Sequence, residues 1–113
     1  MARETNNQRE YFRLSYPRRM MPTILIDETE YRISEISERG LRIQVQTLAG
    51  FPPGGEVTGI ITFKDGARIE ISGVTLRWDK REVIVAPLEG VTFRRIVIEQ
   101  RSLIREFPLL RFN

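Results

Sequence analysis

The chain has no cysteine and no histidine among its 113 residues. Disulfide staples, thiol nucleophiles, Cys/His zinc sites and the commonest general base are thereby excluded. A cysteine-free chain fits a reducing compartment, and a cytoplasmic location is expected. Apolar runs are only a few residues long, so no membrane span is expected. The first twenty residues carry Arg3, Glu4, Arg9, Glu10, Arg13, Arg18 and Arg19, too many charges for a signal peptide. No P-loop, no G-x-G-x-x-G and no G-x-S-x-G elbow is present. Glu35 and Glu38 are close in sequence but sit near a turn, where such pairs are common, and Ser37 has no histidine to activate it. Nothing in the sequence argues for catalysis. The chain is therefore read as a non-enzyme with no cofactor and no metal.

Lysine is also nearly missing. Of eighteen basic residues only Lys64 and Lys80 are lysine. The rest are arginine, whose planar fork of donors matches a phosphate or a guanine edge. Codon usage in a GC-rich genome accounts for this equally well. It accounts less well for the stretch from Arg3 to Arg19, where five arginines face two glutamates.

What is present fits one domain, with 41% apolar residues and a net charge of +3. Residues 1–8 are polar, without helical or strand periodicity, and read as a flexible tail. From Met21 the chain reads as strands. In "EYRISEI", Tyr31 and Ile33 share one face and Arg32 and Ser34 the other. In "LRIQVQ", Leu41, Ile43 and Val45 point inward and Arg42, Gln44 and Gln46 outward. "AGFPPGGE" is a loop, and Asp65-Gly66 a tight turn between strands. In "ARIEISGVTLRW" the apolar phase switches. Ile69 and Ile71 have one parity, and Val74, Leu76 and Trp78 the other. A bulge at Gly73 would keep both sets inward. "VIVAPLEGVTF" is read as the last strand or two, bent or at an edge at Pro87. Leu103, Ile104 and Phe107 recur at helical spacing, which predicts a helix over about 98–107 that Pro108 ends. So short a helix must pack its apolar face, most simply across the open end of a barrel. The expected fold is all-β: a six-stranded antiparallel β-barrel over about 9–97 with one C-terminal α-helix, forming a single domain over 9–113.

Two short motifs remain. In "QREYFR", Arg9 and Arg13 project together whether the segment is extended or helical. Two such charges repel unless an anion lies between them. That anion is either a carboxylate of the chain, such as Glu10 or Glu35, or a phosphate ligand. In "EISERG", Ser37 and Gly40 make either a plain hairpin turn, with Gly40 at positive φ, or a small anion pocket.

Together, R-x-x-x-R before a small barrel and acid-x-Ser-x-x-Gly at a strand end resemble the PilZ domain family. The resemblance covers roughly Gln8 to Phe107. It implies a six-stranded barrel with a C-terminal helix that binds the second messenger cyclic di-GMP. The matched ligand-binding residues are Arg9, Arg13, Glu35, Ser37 and Gly40. The family has Asp or Asn where this chain has Glu35, which keeps the carboxylate but extends it by a methylene. Gln8, Arg39, Arg42 and Trp78 are further candidates; Trp78 either stacks on a base or packs in the core. The resemblance implies a bacterial receptor whose partners are cyclic di-GMP and an unidentified effector protein, acting on motility, biofilm or exopolysaccharide machinery. Two rivals stand beside it. One is a PilZ-like adaptor that has lost its ligand. The other is a barrel for single-stranded nucleic acid, against which the fifteen acids and the lack of a ring platform argue.

Overall fold

The computed structural model describes residues 13–107, so Gln8, Arg9 and the expected 1–8 tail lie outside the described residues. Seven strands, one α-helix and a short 3-10 turn follow in chain order: β1 (Leu14–Ser15), the 3-10 turn (Arg18–Met20), β2 (Thr23–Ile26), β3 (Thr29–Ile36), β4 (Leu41–Gln44), β5 (Glu56–Thr62), β6 (Arg68–Asp79), β7 (Glu82–Glu89) and α1 (Phe93–Glu106). Every strand pair is antiparallel. The order β3-β2-β5-β6-β7-β4 closes through a β3–β4 pairing into a six-stranded barrel. The short β1 adds to the edge of β3 beside Glu35 and Ile36. The expected barrel and C-terminal helix are present. No helix among the described residues is long and apolar enough to cross a membrane.

Period-2 alternation builds the interior. Leu41, Ile43 and Val45 are buried as expected, together with Ile24, Ile33, Ile36, Ile61, Val83 and Val85. The Asp65-Gly66 turn also forms, with the Gly66 N–H donating to the Phe63 carbonyl at 2.9 Å and Gly66 at φ 92°. In β6 the phase differs from the expectation. Ile69, Ile71, Gly73 and Thr75 keep one parity, and Thr75, not Val74, is buried at 1% exposure. The register against β7 shifts twice. β7 carries an extra residue between Val85 and Leu88, and β6 carries one between Thr75 and Arg77, so the β6 bulge falls at Leu76. Leu76 is accordingly 52% exposed rather than in the core. Gly73 is needed for packing instead: a Cβ there would lie 2.7 Å from the Pro87 carbonyl oxygen.

Helix α1 begins at Phe93, earlier than periodicity suggests, and β7 stops at Glu89. Gly90 turns the chain at φ 121°, and the Thr92 hydroxyl accepts the Arg95 N–H at 3.1 Å as the N-cap. The β-branched and aromatic "VTF" resembles strand, which hides the cap. Ile96 and Leu103 join the barrel core, whereas Ile104 is 45% exposed. A buried polar chain fixes the helix to the barrel. The Tyr16 hydroxyl donates to Glu99 Oε1 at 2.7 Å. Arg95 Nη1 donates to Glu99 Oε2 at 2.9 Å and to Asp65 Oδ2, on the β5–β6 turn, at 3.1 Å. Its guanidinium lies 4.6 Å from the Phe63 ring centroid. Burial first, and then the Glu99 carboxylate, push the Tyr16 phenol well above its ordinary range.

Candidate functional site

The second motif lies at the β3–β4 hairpin, and a β-bulge aims it. Ile33 pairs with Ile43, but Glu35 pairs with Arg42, so Ser34 is the extra residue in β3. Without that bulge Ser34 would stand opposite Arg42 and Glu35 would change faces. The alternation expected for "EYRISEI" breaks here, letting Ile33 and Ile36 both point inward while Glu35 points out. Pairing then continues across the outside of the barrel, from Glu35 to Arg42, Ile84 and Arg77. These four side chains form one cross-strand row over β3, β4, β7 and β6.

The row is the floor of an open depression of about 290 Å³, lined by Arg13, Glu35, Ser37, Arg39, Gly40, Arg42, Leu76, Arg77, Ile84 and Ala86, among others. Every described candidate except Trp78 therefore meets at one place. Trp78 pairs with Val83 near the end of β6, is 44% exposed, and donates its indole N–H to the Phe51 carbonyl at 2.6 Å. It is neither a core residue nor part of the depression. A larger hollow of about 670 Å³ on the barrel is lined by Asp27, Glu28, Glu70 and Glu89 and by no cation, so it repels anions.

The hairpin turn is held by Ser37. Its hydroxyl oxygen accepts the N–H groups of Arg39 at 3.2 Å and Gly40 at 3.1 Å, and the Ser37 N–H donates to the Gly40 carbonyl at 2.9 Å. Among the described residues, the hydroxyl proton has only the Gly40 carbonyl oxygen at 3.5 Å, beyond good hydrogen-bond range. Gly40 does not take the positive φ expected of it, since only Gly54, Gly66 and Gly90 do so among the described glycines. Glycine instead avoids a tight contact here: a Cβ would lie 3.1 Å from the Val85 carbonyl oxygen.

Arg42 is the electrostatic hub. Its Nη1 lies 2.9 Å from both Asp79 Oδ2 and Glu82 Oε1, and its Nε lies 3.0 Å from Glu35 Oε1. The Ser34 hydroxyl supports this by donating to Glu82 Oε2 at 2.7 Å. Partial burial opposes the guanidinium charge, but the hydrogen bonds to Asp79 and Glu82 outweigh it and raise the Arg42 pKa. The same hydrogen bond holds the Asp79 carboxyl below its ordinary range. Glu35 also faces Arg13 across 3.8 Å. Among the described residues, the carboxylate beside Arg13 is therefore Glu35. Periodicity places Arg42 on the outer face but does not find Asp79, Glu82, Leu76, Arg77 or Ile84. Asp79 and Glu82 are 37 and 40 residues from Arg42, and only the β4–β7–β6 pairing brings them there.

A family model described as "PilZ domain" matches residues 7–108. No curated protein and no solved structure gives a significant match.

Proposed function

The chain belongs to the PilZ domain family, and we propose that it is a non-catalytic bacterial receptor for cyclic di-GMP, acting in the cytoplasm through an effector protein. The observation that supports this reading is the convergence of Arg13, Glu35, Ser37, Arg39, Gly40 and Arg42 on one depression. Arg13 grips a phosphate or the O6/N7 edge of a guanine, and Arg9 is its counterpart in the matched motif. Ser37 holds the turn and turns its loosely engaged proton toward a phosphate oxygen. Gly40 keeps the hairpin low against β7. Arg39 adds positive charge at the rim. Gln8, just before the first arginine, bears on whether one dinucleotide or two is bound. Binding changes the conformation of the protein, and with it the surface offered to an effector in motility, biofilm or exopolysaccharide control. No cofactor or metal enters this reading.

A second reading has its own observation. Glu35 already faces both Arg13 and Arg42, so a carboxylate of the chain holds the place beside Arg13. This suits an adaptor that works by protein contact alone. Calorimetric titration with cyclic di-GMP, beside GTP and a short oligonucleotide, separates the possibilities. The receptor reading expects micromolar or tighter binding of the cyclic dinucleotide alone, abolished by Arg13→Ala. Silence with all three ligands leaves the adaptor. Binding of the oligonucleotide alone would make this a nucleic-acid barrel.

A further inference from the structure

Helix α1 carries a surface that neither the barrel nor the dinucleotide site uses. Its Ile96, Glu99 and Leu103 are buried. Beside that face, Phe93, Val97, Gln100 and Ile104 recur at spacings of four, three and four. This is the seam spacing of helices that pair knobs-into-holes. Phe93 is 59% exposed and Ile104 45% exposed, while Val97 and Gln100 are half-buried. Arg94 and Arg101 follow Phe93 and Gln100 by one residue, one heptad apart, and therefore flank the seam on its solvent side. Arg105 is exposed on the same side. The described residues give none of these three arginines a carboxylate partner. The other flank is Ile96 and Leu103, closed off against the barrel.

We propose that this seam docks an acidic amphipathic helix of a partner protein. Phe93, Val97 and Ile104 would fill the partner's apolar stripe, and Arg94 and Arg101 would meet its flanking carboxylates. Charge excludes a second copy as the natural occupant. Antiparallel pairing of two α1 helices sets the Arg94/Arg101 flank against itself. Parallel pairing sets it against the Ile96/Leu103 flank, which the barrel occupies. A lipid surface is disfavoured because the exposed apolar stripe is narrow and interrupted by Gln100, whereas interfacial helices bury a broad apolar face. This proposal does not rest on dinucleotide binding.

The test uses the full chain and two labelled synthetic helical peptides. Both carry leucine at the seam positions; one carries glutamate and the other lysine at the flanks. Fluorescence anisotropy is expected to show the acidic peptide binding roughly tenfold or more tighter, and less tightly at higher salt. Arg94→Glu combined with Arg101→Glu reverses the preference, and Ile104→Ser weakens both peptides. None of these exposed substitutions moves the affinity for cyclic di-GMP. Equal affinity for the two peptides, or binding of neither, overturns the proposal. So does a dimer seen by light scattering that Ile104→Ser dissolves, or binding to phosphatidylglycerol vesicles without binding to the acidic peptide.

Discussion

Replacing Glu35 by glutamine tests what the carboxylate does in the depression. Glu35 lies 3.0 Å from Arg42 Nε and 3.8 Å from Arg13 Nε. It thus occupies the place beside Arg13 that a phosphate would take. Two unit charges 4 Å apart interact by about 1 kcal/mol in water and about 4 kcal/mol at an effective dielectric of 20. The Glu35 side chain is 20% exposed and that of Arg13 48%, so the lower half of that range applies. Removing the carboxylate then favours an anionic ligand by about 1–2 kcal/mol, roughly a 5- to 30-fold gain in affinity. The fold is expected to survive, because Arg42 keeps Asp79 and Glu82, and a part-exposed pair contributes about 1 kcal/mol or less. Calorimetry with cyclic di-GMP at two salt concentrations reads the effect, and a thermal melt checks the fold. The gain should shrink at higher salt. Unchanged or weaker binding by a folded Glu35→Gln protein would show that Glu35 does not compete with the ligand for Arg13. Weaker binding would make Glu35 an acceptor for guanine N–H groups instead.

Three further predictions concern stability. Arg42 holds the Asp79 carboxyl below its ordinary value of 3.8, so unfolded Asp79 takes up a proton at higher pH than folded Asp79. The stability it contributes is present above that value and lost as pH falls below it, and acid melts of Arg42→Ala should lack this component. The Tyr16 phenol is held above its ordinary value of 10.0, so its contribution is complete below that pH and declines as pH rises past it, when the unfolded phenol ionises first. Tyr16→Phe should flatten this alkaline decline and, by leaving Glu99 short of a donor, cost about 1–3 kcal/mol in urea unfolding at neutral pH. Thr75 is buried and its Oγ1 has no hydrogen-bond partner among the described residues, so Thr75→Val should raise stability by about 1 kcal/mol; a loss of stability would show that the hydroxyl is satisfied.

The barrel was legible because its strands obey period-2 alternation wherever they pair regularly, as Leu41, Ile43 and Val45 do. It was illegible at the bulges. The phase switch in β6 announced a bulge, but its place at Leu76 rather than Gly73 depends on where β7 carries its own extra residue. The bulge at Ser34 had no signal in β3 at all, yet it sets Glu35 opposite Arg42. The two-part motif located the depression, since Arg13, Ser37 and Gly40 do line it. Its charge balance could not be read in advance, because Asp79 and Glu82 reach Arg42 only through cross-strand pairing. An aromatic in strand phase reads as core or platform; Trp78 is not core, since it stands exposed at the strand end with its indole tied to the loop carbonyl of Phe51.

NMR titration with cyclic di-GMP, following amide and arginine Nε resonances, tests whether the depression over β3, β4, β6 and β7 receives the dinucleotide. Binding there shifts Arg13, Glu35, Arg39, Gly40, Arg42 and Arg77 most and leaves Trp78 and the Asp27–Glu28 hairpin unmoved. No shifts at ligand concentrations well above micromolar, or shifts concentrated at another face of the barrel, would rule this out.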